Sequence, residues 1–368
     1  MAKEEEEDDR RVDQDFTGLV RIESGWMESA SFKANFRMSP TTFEWLCKQF
    51  EPLVTKTNDV GVFERVGMGL FRLATGSTYQ AVSQRFVSTE PTARLCTKEL
   101  CRVICTNLKF WVAYPSPCDL PNVSDEFQTL SGLPNCCGAI DCTRFKFTNT
   151  NYPYIYNEED DDLQQSVVTQ IVVDCSSRIL SIITGFKGNK GDSRVLRSST
   201  LYADIEEGRL LNSPPFHLKG VPVRQYLVGD SGYPLLPWLM VPYTDPVVTS
   251  CQEDFNSKHY VMRQAALRTL SCLRKWGILS KPIEEDVRVA VGCIGACAIL
   301  HNILLAREGG STILEGTEDY ALHDQSSQYY RDANMAEYSI EKKASVIRNA
   351  LAAKARDMRN SEQAISSQ

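Results

Sequence analysis

Positive charge is scarce in this chain: 40 Lys and Arg are outnumbered by 47 Asp and Glu, for a net charge of −7. That counts against gripping nucleic acid over a wide face, because each neutralised phosphate needs a Lys or Arg. Part of the acidity sits in one run, Glu4-Glu5-Glu6-Glu7-Asp8-Asp9, within a stretch over residues 1–30 that lacks periodicity and reads as a disordered leader. Paired cysteine ligands are missing as well. None of the thirteen cysteines belongs to a C-x-x-C pair, so a zinc centre is not expected. Many lie inside apolar runs (Cys101, Cys105, Cys293, Cys297), and with no signal-peptide pattern they read as reduced thiols of an intracellular protein. An unbroken apolar span is the third absence. The longest stretch, residues 289–305, is interrupted by Gly292, Gly295, His301 and Asn302 and reads as a buried helix, with His301 a satisfied core histidine rather than a ligand.

What is present describes a globular protein. The 368 residues, 42% hydrophobic and 24% charged, have room for roughly two or three domains. Regular patterning begins near Phe36. Ser39 and Pro40 open a helix with Phe43, Leu46, Cys47 and Phe50 on one face. Three further helices are expected over residues 63–74, 79–86 and 91–108, with helix-turn-helix spacing and breaks at 75–77 and 87–89. On the last of them Arg94, Lys98 and Arg102 recur at helical spacing, either as nucleic-acid-binding residues or as an ordinary solvated face. After a proline-rich connector at 114–121, strands are expected at 136–143, 167–174 and 179–186, the last two joined by a turn at 174–178. Asp192 is placed as the cap of a helix running to 202, a strand follows at 226–228, and helices over 256–276 and 289–305 would cover the sheet. The polar tail ends in an amphipathic helix, 340–359, with Ile340, Ala344, Ile347, Leu351 and Ala355 in a stripe that packs on its own domain or on a partner.

Two apolar runs each deliver one aspartate. In Gly138-Ala139-Ile140-Asp141-Cys142-Thr143 the alternation of a strand turns Ile140 and Asp141 to opposite faces; in Tyr226-Leu227-Val228-Gly229-Asp230-Ser231-Gly232, Val228 and Asp230 share a face unless Gly229 marks a bulge or the strand ends there. Carboxylates at the rim of one sheet can share a divalent cation, and aspartates after strands also simply cap turns.

Together with Gly185-Phe186-Lys187-Gly188-Asn189-Lys190-Gly191-Asp192, these motifs resemble the PIF/Harbinger transposase superfamily, and within it the plant antagonist-of-like-heterochromatin-protein group, from about Phe36 to Leu305. The resemblance implies an α/β, RNase H-like mixed sheet flanked by helices and preceded by an all-helical, helix-turn-helix-like domain. With the acidic leader and the polar tail read above, the chain is expected to divide into 1–30 (disordered acidic leader), 31–130 (helical domain), 131–305 (DDE-type nuclease domain, as the resemblance implies) and 306–368 (tail with a C-terminal helix). The resemblance makes Asp141 and Asp230 the first two carboxylates of a catalytic triad holding Mg²⁺ or Mn²⁺. The third should be a Glu on the helix after Phe255-Asn256, but no carboxylate occurs between Asp254 and Glu284, and the matching position falls on Gln264 or Ala266. The expectation is a domesticated transposase-derived protein with a degenerate nuclease site, acting in a nuclear, chromatin-associated complex with a MYB-like or trihelix DNA-binding partner. The alternative is an active metal-dependent nuclease completed by a substitute carboxylate: Asp192 first, then Asp174 or Asp254. Two features weigh against DNA work. The helix-turn-helix turn carries Val87 where the family usually has Gly, and the run from Asn157 to Asp162 replaces a basic loop with five carboxylates that would repel phosphate within roughly 8 Å.

Overall fold

The structure, a computed structural model, describes residues 29–54, 60–148, 165–314 and 335–366. The chain divides into two compact units. One comprises Met1–Trp111, Phe145–Glu158 and Cys272–Ile313; the other comprises Val112–Arg144, Glu159–Ser271 and Leu314–Gln368.

The first unit is helical: α1 (Ser29–Phe36), α2 (Pro40–Phe50), α3 (Val62–Thr75), α4 (Tyr79–Arg85) and α5 (Glu90–Asn107). Ser39 caps α2, its side chain accepting from the Thr42 N–H with Pro40 in the first turn, and Thr89 caps α5 through the Thr92 N–H. Thr78, rather than the neighbouring Ser77, caps α4. Phe32, Phe36, Phe43 and Phe71 meet at ring-centroid distances of 4.6–6.3 Å and form the aromatic centre of the unit. Gly76 ends α3 in the left-handed conformation (φ +64°), and the chain passes so close that a Cβ on Gly277 would lie 2.2 Å from the Thr75 carbonyl carbon.

Helix α10 (Val287–Glu308) was expected over the sheet. It belongs instead to the helical unit and packs along α5. The reason is local: Gly292 and Gly295 strip side chains from one stripe, so Cys101 and Cys105 approach closely, with Cys105 Sγ 3.6 Å from the Gly292 carbonyl. Twelve of its residues between Ala290 and Leu304 are buried, which explains an apolar helix long enough to cross a membrane. His301 is buried and not without a partner.

The second unit carries α6 (Leu120–Ser131) and a five-stranded mixed sheet in the order β3-β2-β1-β6-β7. Its strands are β1 (Cys136–Lys146), β2 (Ser166–Val173), β3 (Ile179–Lys187), β6 (Tyr226–Val228) and β7 (Leu239–Met240); β4 (Phe216–Leu218) and β5 (Val221–Val223) make a separate hairpin. Strands β2 and β3 are antiparallel around the expected turn, closed by Asp174 Oδ1 accepting from the Arg178 N–H at 2.9 Å. Strands β1, β6 and β7 run parallel. Every residue of β2 is buried, so its run of Val and Ile has no polar face. Helices α7 (Asp192–Arg197) and α8 (Thr200–Glu206) follow β3; Gly191 is the N-cap and Asp192 the first helical residue, and the expected single helix breaks at Ser198-Ser199. The 25-residue α9 (Ser250–Arg274) is anchored to the sheet by His259, and α11 (Gly310–Leu314) is short. This is the α/β, nuclease-like class that the resemblance implied.

The terminal helix α12 (Met335–Ser366) packs on its own unit. Its buried stripe is Ala344, Leu351, Ala352 and Ala355, while Ile340 is exposed, so the apolar face starts one turn later than the sequence pattern placed it. Arg348 lies 3.9 Å over the Tyr243 ring and donates to the Val241 and Pro242 carbonyls, and Arg356 reaches the buried Asp254 at 2.9 Å.

Candidate functional site

The register between β1 and β6 sets the site. Ala139 pairs with Val228, and two residues further along stand Asp141, still in β1, and Asp230, just past the end of β6, both facing Arg263. Both are buried, at 2% and 7% exposure. One oxygen of each carboxylate is taken by backbone: Asp141 Oδ1 accepts from the Cys142 N–H (2.8 Å), and Asp230 Oδ1 from the Gly232 N–H (2.9 Å). The other oxygens face a single guanidinium nitrogen. Arg263 Nη2 is 2.7 Å from Asp141 Oδ2 and 3.5 Å from Asp230 Oδ2.

Helix α9 delivers that arginine. His259 Nε2 lies 2.9 Å from the Gly229 carbonyl and 3.3 Å from that of Met240, tying the helix to the ends of β6 and β7. One turn later on the same face comes Arg263. The electrostatics follow from burial. Desolvation raises the Asp141 carboxyl to about 7, opposed by the Arg263 charge and reinforced by Asp230. Desolvation, aided by the Arg263 charge, lowers His259 to about 4, so the imidazole is neutral and its Nε2 carries the proton that the two carbonyls accept. Above the pair, the Tyr233 hydroxyl and Cys142 Sγ are hydrogen-bonded at 3.1 Å.

The other residues singled out from the sequence lie around or away from this centre. Gln264 is half-buried with its Nε2 unpartnered, Ala266 is fully buried, and the side chain that α9 sends to the two aspartates is Arg263. Asp192 is buried and held at 3.3 Å by Arg144, whose Nε donates to the Gly188 carbonyl. Burial, then the charge of Asp230, raises its carboxyl. Asp174 closes the β2–β3 turn, and Asp254 is engaged by Arg356 and Arg359. In the helical unit Arg94, Lys98 and Arg102 are exposed on α5, but Arg94 pairs with Glu285 at 3.0 Å and stacks 4.3 Å over Tyr79, whose ring also contacts Arg72. The acidic loop at 158–162 lies outside the described residues. Sequence reasoning missed Arg263 and Arg144. The one available signal was the four-residue step from His259 to Arg263, on the part of the helix after Asp254 that carries no carboxylate.

A family model described as "DDE superfamily endonuclease" matches residues 140–302, spanning both aspartates, Asp192 and α9, and one described as a domain of unknown function matches 22–106. The protein named "ALP1-like" of Arabidopsis thaliana is 30% identical over 350 residues, 90% of this chain and 82% of its own. The chain belongs to the Harbinger-derived nuclease group. Another relative, Antagonist of like heterochromatin protein 1 of Arabidopsis thaliana, is 30% identical over 76% of this chain and 74% of its own, and HARBI1 of Rattus norvegicus, named as a nuclease, is 27% identical over 50% of each. No solved structure matches the chain.

DDE endonucleases generally work with divalent metals, and the residues here do not fit one. Mg²⁺ and Mn²⁺ take oxygen ligands, several of them water, but need at least one or two carboxylates free to bind them. The two oxygens that converge face a permanent cation, Asp192 is paired with Arg144, and among the described residues no group of three His, Cys, Asp or Glu is placed to hold a metal.

Proposed function

We propose that this member of the Harbinger-derived nuclease group no longer cuts nucleic acid and works as an interaction subunit of a nuclear, chromatin-associated complex, alongside a MYB-like or trihelix DNA-binding protein. The observation that carries the reading is Arg263 bridging Asp141 and Asp230. Metal-dependent phosphodiester cleavage requires a bound water with a lowered pKa and a second ion, about 4 Å away, on the leaving oxygen. A guanidinium supplies positive charge but cannot exchange ligands or activate water. Asp141 is no free base either, since both its oxygens are already hydrogen-bonded. The chromatin role is supported by the name of one relative, which ties that protein to heterochromatin, and by the acidic net charge, which suits association through a DNA-binding partner.

The competing reading, a nuclease completed by Asp192, has one observation in its favour: Asp192 is close enough to Asp230 for that charge to raise its carboxyl. Purified full-length protein with Mg²⁺ or Mn²⁺ distinguishes them. No cleavage of duplex or single-stranded DNA above background is expected. Cleavage that Asp141→Asn abolishes overturns the proposal and makes Asp192 the third ligand. For the partner, affinity purification from nuclei should recover a MYB-like or trihelix protein, and Asp141→Asn should leave that recovery intact.

A further inference from the structure

A site built from two buried carboxylates needs a counter-charge even when it does no chemistry. Bringing Asp141 and Asp230 together, each less than a tenth exposed, is unfavourable unless one of them holds a proton or a cation lies between them. In a metalloenzyme that cation is the metal. Here the backbone amides of Cys142 and Gly232 satisfy the outer oxygen of each carboxylate, and Arg263 Nη2 faces both inner oxygens. The arginine is itself largely buried, with its side chain 22% exposed, and its Nε has no hydrogen-bond partner. A guanidinium free to choose would hydrogen-bond through Nε as well, so this one is held by what its tip does. It cannot shed its proton, so the charge is permanent, and the neutral His259 one turn before it adds no competing charge.

We propose that Arg263 is the resident cation of this site: its guanidinium stands where a divalent ion would bind between Asp141 and Asp230, excludes that ion, and makes the folded state of the sheet unit independent of divalent metal. The inference deepens the non-catalytic reading above, rests on it, and adds a mechanism by which the site became closed to metal. It also implies latency. Removing the guanidinium while keeping both carboxylates should recreate a cation site.

The test is Mn²⁺ binding to the full chain, read by electron paramagnetic resonance of free Mn²⁺ and by thermal unfolding. Wild-type protein is expected to show no saturable Mn²⁺ binding that depends on Asp141, and no change in melting temperature beyond that produced by equal ionic strength of KCl. Arg263→Met removes the charge at nearly the same side-chain volume, and Arg263→Ala leaves more room. Each should melt earlier without metal, bind one Mn²⁺ at least about tenfold more tightly than wild type, and recover melting temperature when Mn²⁺ is added. Asp141→Asn placed on either background should abolish both effects. If a variant folds only when Mn²⁺ is present, the proposal is supported directly. If both variants fold and bind no Mn²⁺, or if neither folds even with Mn²⁺, Arg263 does not stand in for an ion and the proposal falls. It also falls if wild type binds Mn²⁺ through Asp141 as tightly as the variants do. That last result without DNA cleavage would leave the proposed function standing, whereas cleavage by wild type would remove the proposed function itself.

Discussion

His259 offers a prediction whose sign and size follow from its surroundings. Its neutral Nε2–H is shared between two carbonyls, and although both bonds favour the charged form, burial and then the Arg263 charge outweigh them and lower its pKa from 6.5 to about 4. The unfolded chain takes up a proton near pH 6.5, and the folded chain resists it until about 4. Stability from this group is therefore complete above pH 6.5 and lost as pH falls toward 4. The full difference is about 3 kcal/mol, of which about 2 kcal/mol disappears between pH 7 and pH 5. Asp141 works in the opposite direction: its carboxyl, raised to about 7, favours the folded state at low pH and ceases to as pH rises through that value. The wild-type pH profile mixes the two, so the histidine must be isolated by difference. His259→Gln places an amide N–H within reach of the same carbonyls and does not titrate. Urea unfolding of both proteins, followed by circular dichroism, should show the wild-type advantage shrinking by about 2 kcal/mol from pH 7 to pH 5. An advantage of the same size at both pH values would show that the histidine titrates normally and that the account of its burial is wrong.

Val87 sits at φ +49° and is 84% exposed, a β-branched residue in the left-handed region with no packing in return. Val87→Gly should stabilise the helical unit by about 1 kcal/mol, visible as a higher denaturation midpoint; an unchanged midpoint would mean the conformation carries no strain. Gly277→Ala should destabilise by at least about 2 kcal/mol, because its Cβ would meet the Thr75 backbone, which cannot rotate away as a side chain can. Wild-type stability in that variant would contradict the close approach. Asp254→Ala removes the buried acceptor of Arg356 and Arg359, so hydrogen exchange along α12 should speed up while α5 keeps its protection. Equal rates in variant and wild type would show that the apolar stripe alone holds the helix.

The elements that local chemistry determines were legible in the chain. Ser39, Pro40 and Thr89 start helices because a hydroxyl before a first turn satisfies orphan N–H groups wherever the helix later packs. The 174–178 turn and the two runs ending in Asp141 and Asp230 were legible for a similar reason, since a short apolar run that ends in a polar turn has few other conformations. Where a uniformly apolar helix packs is a different kind of question. Helix α10 has no polar face to give it direction, and it is assigned to the helical unit by contacts made in the fold: its glycines against the cysteines of α5, and Asn302 donating to the Trp111 carbonyl. The C-terminal stripe kept Ala344, Leu351 and Ala355 but not Ile340, and the arginines beside it, Arg348 and Arg356, found partners in Tyr243 and Asp254 that the helical period does not reveal. Arg263 is the clearest instance. An arginine on a long polar helix carries no local mark of burial, and its partners are 122 and 33 positions away in the chain. Strand pairing brings those two carboxylates together, and His259 sets the rotation of the helix over them. The aspartates were determined by sequence and their counter-ion by the tertiary fold, because a charge is assigned a partner by whatever low-dielectric neighbourhood the packing builds around it, and that neighbourhood has no signature along the chain.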